Sequence, residues 1–363
     1  MNTKMVGIIG SNGAYGGYLK SILECNGYRV IGSDRATERS NRDVVEQSDV
    51  VIFAVPIDQV VQIVREVTSF SRRNQLWMDI TSVKSYVIPA LLESRANVVS
   101  IHPMCLPPKS GETLRGQVIV RCNVRVVGAW VGAWVDQFLS LTGATIKESV
   151  PDEHDRQMAT IQALPHMTHF VMAKTLYRFG IDVSESRGYL SAFYRIVSSL
   201  IGRLLSTTNP EMYLSIQVEN PYVRQLLDAF DEEYVHFRSI LRIGDANRRM
   251  KLFKQYLAVS KKHFGEENVV DAKKLSDDIV RLSADLSEGN MLVVKTSEDR
   301  PGIAHRLTGI FADAGVNLTS FHSQRVGVRQ FRFLVGFDKK KNSPEMRAVV
   351  CTLEKLSNVS VEC

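Results

Sequence analysis

Two periodicities divide the chain. Between residues 5 and 150, short runs that are apolar at nearly every position alternate with amphipathic stretches. MVGIIG, YRVIGSD, DVVIFAVP, LWMDIT and NVVSIHPM read as five strands, and QVIVRC as a further one. Helices are predicted between them, clearest from about Gly16 to Asn26 and over Ile57–Val67. Strands that are apolar throughout, not alternately, must be covered on both faces, so a doubly covered parallel sheet is expected. From about Glu153 to Ala284 the period lengthens to that of a helix, as in YVRQLLDAFDEEYVHFRSIL, and strand signal almost vanishes. Helices with no sheet to cover must pack on each other or on a second subunit. Asn209-Pro210 and Asn220-Pro221 break the run, and Pro165 should kink the helix that starts near Glu153. From Met291 onward MLVVKTS, NLTSFHSQRV, QFRFLVGFD and VSVEC read as strands, with helices over PGIAHRLTGIFADAG and MRAVVCTLEKL. That order, βαββαβ, is the ferredoxin-like arrangement. Three domains are expected: an α/β domain over 1–150, an all-α domain over 151–286 and a ferredoxin-like domain over 290–363, with a linker near Leu286–Asn290.

Composition narrows the setting. Of 363 residues, 44% are hydrophobic and 23% charged, the balance of a soluble globular protein. No apolar run approaches the ~20 residues that span a bilayer, so no membrane association is expected. The start, MNTKMVGIIG, lacks the pattern of a secretory signal. Cys25, Cys105, Cys122, Cys351 and Cys363 form no CxxC pair and leave an odd one over, which suits reduced thiols in the cytoplasm. The net charge of +6 is spread along the chain. Its densest basic stretch runs from Arg238 to Lys262 at near-helical spacing with acids interspersed, which reads as a solvated helix face and not as a nucleic-acid groove. His166 and His169 stand one helical turn apart, but no HExxH or carboxylate pattern accompanies them, so no metal site is expected.

Candidate chemistry begins at the first strand-to-helix turn, GIIGSNGAYGG. Gly10 permits the tight turn, Gly13 lets backbone approach a pyrophosphate, and Gly16 lets the helix pack close to the strand. The spacing is GxxGxxG, one residue longer than the usual GxGxxG. The helix start offers free N–H groups and a positive dipole end to phosphate. Asp34 ends the second strand roughly 20 residues on and can accept both ribose hydroxyls, which favours NAD. Arg35 beside it leaves room for the 2′-phosphate of NADP. The first domain therefore reads as a Rossmann domain.

His102 follows the fifth strand, beyond the carboxyl end where open α/β sheets bind ligands. Ser82, in Asp79-Ile-Thr-Ser82-Val-Lys84, ends the preceding strand. It can bond one nitrogen of His102, fixing the tautomer and leaving the other nitrogen free as a base. Ser82 equally suits a helix N-cap.

At these residues the chain resembles the prephenate/arogenate (cyclohexadienyl) dehydrogenase family, most closely the dehydrogenase part of enteric bifunctional chorismate mutase–prephenate dehydrogenases. The matching stretches are the glycine turn, FAVPI, DITSVK, IHPM, EHDRQMATIQALPH, YRIVSSLIGRLL and NPEMY. No helices precede the first strand, and mutase activity is not expected. The resemblance implies NAD-dependent oxidative decarboxylation of prephenate to 4-hydroxyphenylpyruvate in tyrosine biosynthesis. It implies His102 as the group that takes the 4-hydroxyl proton and Ser82 as the residue that orients it. Arg203 would anchor a substrate carboxylate, with His154, His166 and Tyr213 also binding substrate. The apolar neighbours Leu200, Ile201, Leu204 and Leu205 suggest that Arg203 is partly buried with a partner. A homodimer through the helical domain is implied. The family's Gly-containing turn after HPM is replaced by Cys105-Leu106-Pro107-Pro108, which leaves prephenate and arogenate both open as substrates.

The segment from Thr296 through Asp299, Pro301 and Gly302 to Gly315 and Asn317 resembles the start of an ACT domain. Pro301 suits the first turn of its helix, Gly302 leaves room for a ligand backbone, Gly315 ends the helix and Asn317 starts the next strand. With Asp299, these residues are the candidate site for a tyrosine or phenylalanine effector. The match is most similar to the ACT modules of prephenate dehydratases, but where those carry Glu-Ser-Arg-Pro this chain has Phe321-His322-Ser323-Gln324-Arg325. A non-catalytic, NAD-bound amino-acid sensor is the reading from another class.

Overall fold

The computed structural model describes residues 4–108, 113–182, 184–189, 191–287, 290–297, 301–325 and 331–362. A seven-stranded sheet occupies the first part of the chain. Its strands are β1 (Met5–Ile9), β2 (Arg29–Ser33), β3 (Val50–Phe53), β4 (Leu76–Asp79), β5 (Asn97–Pro103), β6 (Val118–Arg125) and β7 (Thr145–Ser149), in the order β2-β1-β3-β4-β5-β6-β7. The helices between them are α1 (Ala14–Cys25), α2 (Asn41–Gln47), α3 (Ile57–Val67), α4 (Lys84–Glu93) and α5 (Ala129–Thr142).

The apolar strands are explained by cover on both faces. Alternate residues of one strand enter different cores: Val50 and Ile52 pack with Leu19, Leu23 and Phe138, whereas Val51 and Phe53 pack with Val60, Val64 and Leu91. Each fully buried side chain of this kind contributes about 1.5–3 kcal/mol of transfer free energy.

The sheet is not wholly parallel. β1 to β5 pair in parallel, but β6 runs antiparallel to β5. The described residues between β5 and β6 contain no helix of the kind that usually makes a parallel crossover. The short α2, with a capping box between Ser40 and Asp43, and the pair α5–β7 add to the elements expected from the pattern.

Contact density divides the chain into two compact units. The first holds residues 1–168 and 207–227, the second 169–206 and 228–363. The first unit therefore includes α6 (Pro151–Met158), a π-helical turn over Ala159–Ala163, the start of α7 (Leu164–Phe179) and α9 (Pro210–Glu219). The π turn runs directly into α7, whose first turn holds Pro165.

The second unit holds α8 (Ala192–Leu205), most of α10 (Val223–Leu241), α11 (Ala246–Phe264) and α12 (Glu266–Ser287). Within it α12 packs on α8 and α11. The same unit carries β8 (Met291–Thr296), α13 (Ile303–Asp313), β9 (Leu318–Arg325), β10 (Phe331–Phe337), α14 (Pro344–Glu354) and β11 (Val359–Glu362). These form an antiparallel sheet, β11-β8-β10-β9, over a core that includes Leu307, Phe311, Phe333 and Leu353. That is the expected βαββαβ order. No helix among the described residues is long and apolar enough to cross a membrane.

Candidate active site

The glycine turn forms a cradle that side chains would fill. Gly10 lies at φ +87°, and a Cβ there would fall 2.5 Å from the Ala54 carbonyl oxygen. A Cβ on Gly16 would fall 1.9 Å from the Gly10 oxygen, so only glycine lets α1 start this close to β1. Gly13 is the extended N-cap of α1 and offers no side-chain cap. The first intrahelical bond is Gly17 N to Gly13 O at 2.7 Å, so the amides of Ala14, Tyr15 and Gly16 precede it.

Asp34 follows β2. Its carboxylate accepts the Asn12 N–H at 3.0 Å and the Arg35 N–H at 2.7 Å. Arg35 extends to Gln59 Oε1 at 3.0 Å. A cavity of about 990 Å³ runs along Gly10, Gly13, Asp34 and Gln59, and the turn into α9 adds Thr208, Asn209 and Glu211. Its charged lining comprises the acids Asp34, Glu38, Asp58 and Glu211 against Arg35 and Arg39. The cradle, the open amides and the acid fit a dinucleotide.

The carboxyl ends of the neighbouring parallel strands β4 and β5 bring Ser82 and His102 together. Ser82 Oγ lies 3.2 Å from His102 Nε2. The other ring nitrogen is not free, as the sequence reading had it. His102 Nδ1 lies 3.0 Å from His154 Nε2, and His154 Nδ1 lies 2.8 Å from Asp155 Oδ1. Both histidines and Asp155 are buried. The physical reason for the correction is that a buried ring N–H must find an acceptor, and α6 supplies one.

The chain of contacts fixes the tautomers. A carboxylate accepts only, so His154 Nδ1 carries a proton and its Nε2 a lone pair. His102 Nδ1 must then donate, which leaves the lone pair of His102 on Nε2, beside Ser82. Burial, and after it the charge of Lys84 and the neighbouring His154, hold His102 well below the ordinary imidazole value. Burial also lowers His154, against the opposing bond to Asp155. Its contact with Asp155 is thus a hydrogen bond from a neutral ring. Burial pushes the Asp155 carboxyl up, but bonds from His154, Ser85 and Lys84 outweigh it and hold the group below the ordinary carboxylate range.

Asp155 does a second job. It accepts the backbone N–H groups of Lys84 and Ser85, each at 2.7 Å, and so caps α4 from another helix. The turn bearing Ser82 and the orientation of His102 therefore depend on one carboxylate. Lys84 is itself fully buried. Its ammonium reaches Asp79 Oδ2 at 3.1 Å, Thr81 O at 2.8 Å and Ile101 O at 2.7 Å. Gln162, on the π turn, donates to Ser82 Oγ at 3.4 Å.

His166 on α7 and Tyr213 on α9 meet edge to face, ring centroids 4.9 Å apart. Arg203 belongs to α8 in the second unit and is exposed, contrary to the expectation of partial burial. The apolar neighbours that suggested burial share one side of the helix, with Ile201 and Leu204 buried at its centre and Leu200 and Leu205 exposed at its margins, and Arg203 falls on the opposite side. In the C-terminal sheet domain, Gly302 is the left-handed N-cap of α13, so Pro301 precedes the helix instead of entering its first turn. Gly315, at φ +68°, follows its last turn, and Asn317 N donates to Asp338 at 3.1 Å just before β9. Asp299 lies outside the described residues. Among the described residues no group of three His, Cys, Asp or Glu side chains is arranged to hold a metal ion.

Residues 24–123 match the prephenate dehydrogenase nucleotide-binding domain, 150–255 the prephenate dehydrogenase dimerization domain, and 291–341 the ACT domain. The chain belongs to the prephenate/arogenate dehydrogenase family. It is 28% identical over 312 residues to a protein of Methanocaldococcus jannaschii described as a probable arogenate/prephenate dehydrogenase, covering 81% of this chain and 69% of that one. It is 28% identical over 242 residues to the T-protein of Haemophilus influenzae, covering 65% of this chain and 63% of the T-protein, and so spans less than two thirds of that relative. Among solved structures it shares its fold with the prephenate dehydrogenase of Aquifex aeolicus, crystallised with hydroxyphenyl propionate and NAD+, at a TM-score of 0.58 and 18% identity over 73% of this chain and 99% of that one.

Within this dehydrogenase family framework, sequence reasoning missed Asp155, Lys84 and Gln162. Asp155 stands in the EHD motif, next to the His154 that was singled out. An acid and a lysine beside wholly apolar strands, as in Asp79 and Lys84, are also a readable signal, because buried charges require partners.

Proposed function

We propose that this chain is an NAD-dependent prephenate dehydrogenase, with the Ser82–His102–His154–Asp155 chain as the observation that carries the reading. The nucleotide-binding segment takes NAD through Gly10, Gly13, Gly16 and Asp34. When bound, NAD supplies the acceptor for the hydride that leaves C4 of the substrate. The protein's own part is acid–base work and positioning. His102 Nε2, set as a lone pair by the relay from Asp155, takes the proton of the 4-hydroxyl as hydride departs, so the oxygen can lend electron density to C4. Loss of the ring carboxylate as CO2 returns its bonding pair to the ring. The proton goes back to oxygen as the ring becomes a phenol, giving 4-hydroxyphenylpyruvate. Ser82 holds the hydroxyl in line with Nε2. Arg203 pairs with a substrate carboxylate through its planar fork, and its exposure leaves those donors available. His166 and Tyr213 complete the substrate side, whereas His154, buried with both ring nitrogens engaged, acts through His102 and does not touch substrate as the resemblance had implied.

The helical segment, 151–286, is the proposed dimer contact. Val235, Leu257, Val259, Leu275 and Ile279 are exposed along α10–α12, apolar side chains that a partner subunit would cover. The segment 290–363 is the proposed sensor of tyrosine or phenylalanine, and 1–150 the cofactor domain.

The test is NADH absorbance with purified protein, NAD and prephenate, repeated with added tyrosine. NADH formation supports the reading, and tyrosine inhibition supports the sensor. Turnover with arogenate alone would keep the chemistry and change the substrate. No turnover with either, while NAD still binds, would sink the proposal.

A further inference from the structure

Tyr15 stands in both halves of the site. Its backbone belongs to the first turn of α1, and its amide precedes the first intrahelical bond, where a dinucleotide's phosphates would sit. Its hydroxyl donates to the carbonyl oxygen of Cys105, three residues beyond His102, and lies 3.6 Å from the Cys105 sulfur. Tyr15 and Cys105 also pack against one apolar cluster, together with Ala54 and Ile80. Immediately before Cys105, the Met104 N–H is tied to Val118 O at 2.8 Å. From Cys105 the chain leaves the sheet, and Leu106 is already 61% exposed. The Tyr15 hydroxyl thus anchors this segment as it departs from His102. Burial, then the bond to Cys105, raises the phenol well above its ordinary value, so it remains a donor at any working pH.

We propose that Tyr15 is a positioning residue that couples the two ligands of the site. Phosphates seated on the first turn of α1 fix the Tyr15 backbone, and through its hydroxyl fix the segment that follows His102 in its substrate-binding position. By linkage, each ligand then tightens the other. No other tie from the glycine turn to this segment is needed for the coupling. The inference rests on the dehydrogenase reading, since it takes the ligands to be NAD and a hydroxyphenyl substrate or product.

The experiment is NAD titration by tryptophan fluorescence, with and without saturating 4-hydroxyphenylpyruvate, on the wild-type chain and on Tyr15→Phe. In the wild type the product should tighten NAD by about fivefold to tenfold, the usual scale of such coupling. Tyr15→Phe should bind NAD alone within about twofold of wild type and lose most of the synergy, with KM for prephenate rising and kcat within about threefold. Tyr15→Met, which fills the space without a hydroxyl, should behave alike and guards against a defect peculiar to phenylalanine. Synergy that survives in both variants, or its absence from the wild type, would overturn the coupling. So would weakened NAD binding with synergy intact, which would make Tyr15 a local prop of the turn. A wild type that shows the linkage but turns over neither prephenate nor arogenate defeats the dehydrogenase reading alone.

Discussion

His102 and His154 meet nitrogen to nitrogen, Nδ1 to Nε2 at 3.0 Å, with their rings inclined by 62°. Two neutral imidazoles can hold this contact in one sense only once a third group decides which nitrogen donates, and Asp155 is that group. Asp155→Asn keeps one of the two oxygens that accept the N–H groups of His154, Lys84 and Ser85, and turns an NH2 donor toward the N–H groups served by the other. The expected result is a folded protein with a lower thermal midpoint and kcat reduced by about 100-fold, because part of the population carries the wrong tautomer. A folded Asp155→Asn protein with unchanged kcat would remove the relay from the mechanism.

His102→Asn should lower kcat by roughly 100-fold or more while NAD still binds. The pH dependence follows from the depressed His102. An unfolded imidazole gains its proton near 6.5, the folded one only well below it. In that interval the unfolded chain binds the extra proton, so this contribution to stability is complete above 6.5 and declines as pH falls below it. The acid limb of kcat should likewise lie below 6.5, since the base stays neutral there. Denaturation midpoints across the acid range should fall less steeply in His102→Asn than in wild type; parallel curves would count against a depressed His102.

Asp34 should decide between the two nicotinamide cofactors. Its carboxylate already orders the Asn12 and Arg35 amides, so Asp34→Ser loosens the turn and removes the charge that opposes a 2′-phosphate. The ratio of kcat/KM for NAD over NADP should drop by about tenfold or more, the worth of one hydrogen bond to a charged group. An unaltered ratio would move the discrimination to another acid of the cavity, such as Glu38 or Glu211.

Arg203→Ala should raise KM for prephenate by roughly tenfold to 100-fold, with a smaller change in kcat. Arg203→Lys should recover only part, because an ammonium lacks the fork that grips a carboxylate. Unchanged KM in both would discard Arg203 as the anchor.

The doubly covered sheet was legible because strands such as Val50–Phe53 are apolar at every position, and the βαββαβ order because its strands and helices alternate cleanly. The reversal at β6 was not, since strand direction is set by the connection and leaves no mark in the apolar pattern of QVIVRC. Ser82 and His102 were readable as a pair because both end neighbouring strands. Their partner was not readable as such: Asp155 reaches His154 beside it in sequence, but it reaches Lys84 and Ser85 only through tertiary packing. Arg203 shows the opposite failure. Sequence neighbours on a helix are about 100° apart, so apolar residues beside an arginine say little about its own surroundings.

The π turn over Ala159–Ala163 acts as a phase shifter. It inserts one extra residue between α6 and the start of α7, rotating the first turn of α7, with His166, by about 100° relative to an unbroken α-helix. His154 and Asp155 stand on one side of this reset and His166 on the other. Deleting a single residue from the turn would return this stretch to regular geometry, yet it would swing His166 away from Tyr213 while leaving the His102 relay in place. The two aromatic and imidazole clusters are thus kept in mutual registration by an angle, and the loss of one residue is enough to dephase them.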